Sequence, residues 1–118
     1  MKRRKNIGPT NPRLVKLINI LNKSKSPLWK DVAWRLSLQR RRAEVNISKI
    51  DKYASEGEVI LVPGKVLGNG EITKKVTVVA FNYSESAKKK LLDAGCEVLT
   101  IDEYFEKNPE GKNVRLMG

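Results

Sequence analysis

The sequence predicts a single α/β domain in which two amphipathic helices precede a compact body of short strands and helices. The chain has 118 residues, 40% of them hydrophobic, which is enough for one modest core. Before residue 40, leucines recur at helical spacing. From residue 59 onward, runs rich in β-branched residues alternate with helical patterns in a loose strand–strand–helix, strand–helix order. Together these features indicate a compact α/β body behind a helical front segment.

The two front helices have matching start signals. Asn11-Pro12 and Ser26-Pro27 each place a capping residue before a proline at the first helical position. We therefore predict helices over residues 12–22 and from Pro27 to about Leu38. The first helix has one apolar face, formed by Leu14, Leu17, Ile18 and Leu21. In the second helix the apolar residues Leu28, Val32 and Leu36 recur every four residues.

In the body, alternating and β-branched patterns predict the strands 44–47, 59–62, 65–67, 75–81, 97–100 and 114–116. Pro63-Gly64 is expected to end a strand, and Gly68-Asn69-Gly70 is interpreted as a hairpin turn.

Three further helices are predicted from their caps and stops. One begins at Ser48 and stops at Gly57, with its apolar side formed by Ile50, Tyr53 and Ala54. A second helix opens at Ser84 and ends at Gly95. The last is opened by Thr100, whose spacing to Glu103 fits a capping box.

Charge is distributed very unevenly along the chain. Residues 1–42 contain thirteen Lys or Arg and one acid, a net charge of +12, whereas residues 43–118 sum to −1. We predict a basic, RNA-binding front of arm and helices (1–42) packed on a compact body (43–118). A polycation of this kind favours nucleic acid, because neutralising phosphates releases counterions. The surplus charge also predicts that an anionic partner stabilises the folded form.

Several classes of function are excluded by composition. The chain has no His and a single cysteine, Cys96, so it offers no Ser-His or Cys-His nucleophile, no internal disulfide and no Cys-based zinc site. The turn Gly68-Asn69-Gly70 lacks the third glycine and the following helix of a dinucleotide-binding fingerprint. Asp102 and Glu103 are expected to favour a helix start rather than acid–base catalysis. We therefore predict no enzyme, cofactor or metal.

Apolar runs in the chain reach only four residues, too short for a bilayer span or a signal peptide. The protein is expected in the cytoplasm.

The candidate RNA-binding residues are mostly cations of the front segment. The three adjacent guanidiniums of Arg40-Arg41-Arg42 have a single acid close in the sequence, Glu44, and are expected to bind phosphates. Trp29 lies toward the apolar stripe and is assigned to the core, whereas Trp34 lies away from it and is a candidate for stacking on a base. Lys88-Lys89-Lys90 is left open between a solvated face and a phosphate contact. The full set is Lys2, Arg3, Arg4, Lys5, Arg13, Lys16, Lys30, Trp34, Arg35, Arg40, Arg41, Arg42, Lys65, Lys74 and Lys75.

The block from Val62 to Val78, Val-Pro-Gly-Lys-Val-Leu-Gly-Asn-Gly-Glu-Ile-Thr-Lys-Lys-Val-Thr-Val, resembles the large-subunit ribosomal protein family "L eighteen e" of archaea and eukaryotes. The resemblance continues through the segment 40–50 and through Asp93-Ala94-Gly95, where Cys96 stands in place of a frequent second glycine. The core of this family is shared with the bacterial "L fifteen" proteins. The resemblance implies a compact α/β strand–strand–helix superhelix preceded by N-terminal helices. It also implies an archaeal-type structural constituent of the ribosome. Its partners would be large-subunit ribosomal RNA and neighbouring ribosomal proteins.

Two other functions remain open from the residues alone. The basic arm could deliver an RNA-modifying or RNA-processing enzyme, which would require a pocket with perturbed ionisable groups. It could also serve a protein-interaction module that binds acidic partners.

Overall fold

A computed structural model describes residues 12–38 and 43–117. Five helices and five strands follow one another along these residues. The helices are α1 (Pro12–Asn22), α2 (Pro27–Ser37), α3 (Ile47–Tyr53), α4 (Glu85–Asp93) and α5 (Ile101–Lys107). The strands are β1 (Ala43–Asn46), β2 (Val59–Leu67), β3 (Thr77–Tyr83), β4 (Glu97–Thr100) and β5 (Arg115–Leu116).

All five strands pair in parallel in one sheet, in the order β1-β2-β3-β4, with β5 also on β2. One edge of β2 has two partners in succession: Ile60 and Leu61 pair with β5, and residues 64–67 pair with β1. The α/β class is therefore confirmed, and the order strand–strand–helix is present in β2, β3 and α4.

Helices cover both faces of the sheet. On one face, α1, α2 and α5 pack on Leu61, Val79 and Phe81. On the other face, α3 and α4 pack on a surface that includes Ile60 and Val78. Alternate residues of a strand point to opposite faces of the sheet, so a strand that is buried on both faces has apolar residues at consecutive positions. This explains the unbroken Val59–Val62 sequence.

The predicted strand break at Pro63-Gly64 is wrong, because β2 continues through both residues. The pairing of β2 with β3 shifts register between Val62 and Lys65, and the edge partner of β2 changes from β5 to β1 at the same place. Proline lacks the N–H that a regular ladder requires, and a bulge accommodates this loss.

The predicted hairpin at Gly68-Asn69-Gly70 is also wrong, because β2 and β3 are parallel. The connecting residues 68–76 cross back along the α3/α4 side of the sheet, where Ile72 and Val76 are buried. Lys90 holds the start of this crossover by donating from Nζ to the main-chain oxygens of Gly68 (3.0 Å) and Gly70 (2.9 Å). The crossover therefore replaces the helix that usually joins parallel strands.

The helix predictions hold better than the strand predictions. Helix α1 has the predicted bounds, and α2 ends one residue before Leu38. Ser84 caps α4, and the capping box of Thr100 and Glu103 opens α5. In α3, however, Asn46 rather than Ser48 occupies the cap position, and Tyr53 is 51% exposed instead of facing inward.

Candidate nucleic-acid interface

The outer faces of α1 and α2 present the described cations of the front segment. Trp29, Val32 and Leu36 turn toward the sheet and are fully buried, which leaves Lys30 and Trp34 on the opposite side of α2. Trp34 is 61% exposed. The segment 12–38 contains six cations against the single acid Asp31, so its outer surface is strongly positive.

Two arginines of this surface have partners within the protein. Arg13 on α1 lies over the Phe81 ring, 4.3 Å from its centroid, and donates from Nη2 to the Phe81 main-chain oxygen at 3.0 Å. Its guanidinium is also 3.9 Å from the Asp102 carboxylate. Arg35 pairs with Asp31 at 3.3 Å, one helical turn away. These contacts bind α1 to the sheet and α5, and they brace the exposed side of α2.

Lys16 and Lys30 differ from the two arginines. Both are exposed, and no carboxylate of residues 12–38 or 43–117 forms an ion pair with either ammonium. Lys23 and Lys25 are exposed in the same way, between α1 and α2, although we did not include them among the candidate residues. The +12 charge of residues 1–42 was the signal that could have added them.

The three candidate lysines of the body, Lys65, Lys74 and Lys75, do not form one group. Lys65 is exposed on β2, and Lys75 is exposed just before β3. Lys74, in contrast, donates from Nζ to the main-chain oxygen of Ala54 at 2.7 Å and so caps the end of α3. The structure thus leaves two of these ammonium groups exposed and engages the third internally.

The remaining candidates, Lys2–Lys5 and Arg40–Arg42, lie outside the described residues. The sequence interpretation also missed Lys49, Lys52 and Tyr53, which share the outer face of α3. Their i, i+3, i+4 spacing was a usable signal, but Tyr53 was assigned to the core. The three residues of Lys88-Lys89-Lys90 differ in their surroundings. Lys88 and Lys89 are exposed, whereas Lys90 forms hydrogen bonds that hold the crossover.

Ionisable groups with shifted pKa values serve the fold. Burial raises the pKa of the Tyr83 hydroxyl, which donates a hydrogen bond of 2.6 Å to the main-chain oxygen of Leu99. Main-chain N–H donation from Thr73 lowers the pKa of the Asp51 carboxyl. Cys96 is buried and packs in the core.

Within residues 12–38 and 43–117, no group of three or more His, Cys, Asp or Glu side chains could hold a metal ion. Nor does this part of the chain contain a helix long and apolar enough to cross a membrane.

Comparison with known proteins gives one family. Residues 2–118 match the family described as "Ribosomal protein 60S L18 and 50S L18e". The large ribosomal subunit protein eL18 of Archaeoglobus fulgidus is 50% identical over 113 residues, which cover 92% of this chain and 97% of the relative. The eL18 protein of Thermoplasma acidophilum is 52% identical, covering 86% of this chain and 85% of its own length. That of Methanococcus maripaludis is 48% identical over 96% of this chain and 98% of its own.

These matches confirm the resemblance seen in the Val62–Val78 block. The family consists of structural proteins and not of enzymes, which confirms the non-enzymatic interpretation of the sequence. The chain belongs to the eL18 family of large-subunit ribosomal proteins.

Proposed function

We propose that this structural constituent of the ribosome binds large-subunit ribosomal RNA through phosphate contacts from its basic front and so stabilises the large subunit. The protein works in the cytoplasm, as part of the ribosome, beside neighbouring ribosomal proteins. Residues 1–42 form the RNA-binding part, and residues 43–118 form the body on which it is mounted. The family of the chain supports the ribosomal role, and the charge of α1 and α2 supports the assignment of the surface.

One observation carries the proposal: α1 and α2 pack their buried apolar residues on the sheet and expose Lys16 and Lys30 on their outer faces. Folded RNA presents a surface of phosphates, and its proteins are held largely by contacts to these groups and to ribose. A surface with six cations and one acid over residues 12–38 is complementary to such a partner. The segments 1–11 and 39–42 add seven further cations on either side of it.

Within this surface the residues have different roles. We assign direct phosphate contact to Lys16 and Lys30, which form no ion pair with the described residues. We assign the same role to the basic residues 2–5 and 40–42 on the strength of their charge alone. Arg13 and Arg35 add to the positive potential while they hold α1 and α2 in place. Trp34 provides an exposed ring on which an unpaired base stacks.

A smaller contact comes from the body. Lys65 and Lys75 are exposed and extend the positive surface, and Lys74 supports them by fixing the crossover to α3. This contact is weaker than that of the front, because the body as a whole is nearly neutral.

The test is the salt dependence of binding to an archaeal large-subunit ribosomal RNA transcript. The double variant Lys16→Gln/Lys30→Gln should lower the slope of log K against log salt by roughly 1.4 to 1.8, since each phosphate contact contributes about 0.7 to 0.9. The variant Trp34→Ala should weaken binding roughly 5- to 150-fold, as for loss of one stacked base.

The matched control is Lys88→Gln/Lys89→Gln, which removes the same charge from α4, where Glu85 and Asp93 lie nearby. It should leave the slope unchanged. Affinity that does not depend on salt and is unchanged in both Lys16→Gln/Lys30→Gln and Trp34→Ala would contradict the proposal. Absence of the protein from purified large subunits would contradict the proposal as well. So would an association with an acidic protein that persists after RNase treatment in high salt.

A further inference from the structure

The outer face of α3, formed by Lys49, Lys52 and Tyr53, is a surface that the fold does not use for packing. Ile47 and Ile50 lie on the opposite side of the helix and are fully buried against the sheet. Lys49 and Lys52 are exposed, and Tyr53 is 51% exposed. An exposed aromatic ring beside two exposed lysines is the composition of a site that binds a base together with its phosphates.

The carboxylates in and after α3 are held away from this face by the protein. Asp51 is the acid of α3, and its Oδ1 accepts hydrogen bonds from the main-chain N–H groups of Thr73 (2.9 Å) and Lys74 (3.1 Å). Glu56 accepts from the Lys75 N–H at 2.9 Å. Glu58 accepts from the Ser55 N–H at 2.8 Å and from Arg115 at 3.2 Å. These bonds direct Asp51 and Glu56 toward the crossover and pair Glu58 with Arg115, and none of the three carboxylates forms an ion pair with Lys49 or Lys52.

The backbone that carries Tyr53 is held in place before any ligand binds. Arg115 donates from Nη1 to the Tyr53 main-chain oxygen at 2.8 Å, and Lys74 donates to the next carbonyl, that of Ala54, at 2.7 Å. The Lys52 ammonium lies over the Tyr53 ring, 5.3 Å from its centroid. A preorganised aromatic surface binds with a smaller loss of conformational entropy.

This face lies on the other side of the sheet from the basic front. Helix α3 packs on the sheet face that includes Ile60 and Val78, whereas α1 and α2 pack on the face that includes Leu61 and Val79. Since the sheet and both helical layers separate the two surfaces, a single short RNA segment cannot cover both.

We infer that the outer face of α3 is a second RNA-binding surface, in which Tyr53 stacks on an unpaired base while Lys49 and Lys52 bind the flanking phosphates. The inference rests on the proposed RNA-binding function and extends it. The protein joins two separate segments of ribosomal RNA, one on each side of its sheet, rather than lying on one segment.

The experiment compares binding of the full chain and its variants to an archaeal large-subunit ribosomal RNA transcript at several salt concentrations. Tyr53→Ser should weaken binding roughly 5- to 150-fold, whereas Tyr53→Phe, which keeps the ring, should bind as the parent does. Lys49→Gln/Lys52→Gln should lower the salt slope by roughly 1.4 to 1.8. The control Lys88→Gln/Lys89→Gln removes two charges from α4 on the same side of the sheet and should change nothing.

Three further measurements separate the possible outcomes. Because the two surfaces are independent, the loss from Tyr53→Ser should multiply the loss from Trp34→Ala in the double variant. Ultraviolet crosslinking in purified large subunits should join Tyr53 to a nucleotide distant from the one joined to Trp34. Thermal unfolding of each variant, which should match the parent, establishes that the losses do not come from misfolding.

Failure of the parent protein to bind RNA would overturn the proposed function and this inference together. If Lys16→Gln/Lys30→Gln weakens binding while every α3 variant binds normally, only the inference is overturned. The inference is also overturned if the α3 variants keep their RNA affinity but particles containing them lose a neighbouring protein. In that case the outer face of α3 binds a protein and not RNA.

Discussion

The indole Nε1 of Trp29 donates a hydrogen bond of 2.9 Å to the main-chain oxygen of Asn108, 79 residues further along the chain. The same indole packs edge-on against Phe105, with ring centroids 5.2 Å apart. Beside it, the Ser26 hydroxyl donates to the Glu110 main-chain oxygen at 2.9 Å. The start of α2 is thereby attached to the end of α5, and the basic front is mounted on the body at this junction.

Replacing Trp29 by alanine should therefore destabilise the protein by about 3–5 kcal/mol, the usual cost of removing a buried aromatic side chain. The other tryptophan provides the control. Trp34→Ala removes an exposed ring and should change the free energy of unfolding by less than about 0.5 kcal/mol. Urea unfolding of the two variants measures both effects, and equal losses would show that Trp29 does not hold the junction.

A second prediction concerns Gly68, at the start of the crossover between β2 and β3. A Cβ at this position would lie 2.7 Å from the Ala87 main-chain nitrogen and against the Ser86 side chain, so the backbone must approach α4 without a side chain. Gly68→Ala should cost about 1–3 kcal/mol, as overpacking does.

The additional change Ser86→Gly should not restore stability to that variant, because the clash with main-chain atoms remains. Full recovery in urea unfolding would mean that only the serine hydroxyl was in the way.

The helices were the part of the fold that the sequence predicted best, for a local reason. Capping residues, prolines and apolar spacing act within a few residues, so α1, α4 and α5 could be placed from their own segments. The path of the chain through Pro63-Gly64 and residues 68–76 could not be predicted in this way. Glycine and proline occur in bulges, hairpins and crossovers alike. Which of these forms depends on pairing between β2 and strands far away in sequence.

In the candidate interface, too, local features could be predicted from the sequence and long-range contacts could not. The exposure of Lys30 and Trp34 follows from the helical spacing of α2 alone. The internal role of Lys74 does not, because its partner is the carbonyl of Ala54, twenty residues earlier. The exposure of Tyr53 was missed for a related reason: in a helix of seven residues, two buried isoleucines complete the inner face and leave no room for a third large side chain.

Lys90 provides a third prediction, because its ammonium holds the crossover rather than facing solvent. Lys90→Gln loses the hydrogen bonds to the oxygens of Gly68 and Gly70 and should destabilise the protein by about 1–2 kcal/mol. Lys89→Gln removes the same charge from the exposed side of α4 and should stay within about 0.5 kcal/mol of the parent. Indistinguishable unfolding curves for the two variants would contradict the bracing role of Lys90.

The last prediction is a loss of stability in acid that depends on Asp51. Hydrogen bonds from the Thr73 N–H, and then from the Thr73 hydroxyl and the Lys74 N–H, lower the pKa of the Asp51 carboxyl below its unfolded value. A carboxyl whose pKa is lower in the folded state binds protons more readily when unfolded. Its contribution is therefore complete above the unfolded pKa, about 3.9, and is lost as the pH falls through the lower, folded value.

Asp51→Asn keeps an oxygen that accepts the same hydrogen bonds but cannot titrate. The variant should be less stable than the parent at pH 7, and its stability should fall less steeply between about pH 5 and pH 2. Part of the acid dependence should persist, because main-chain donation from Thr100 lowers the pKa of Glu103 and donation from Ser55 lowers that of Glu58. Urea unfolding at a series of pH values measures the difference. Parallel curves for parent and variant would show that Asp51 does not stabilise the crossover through its charge.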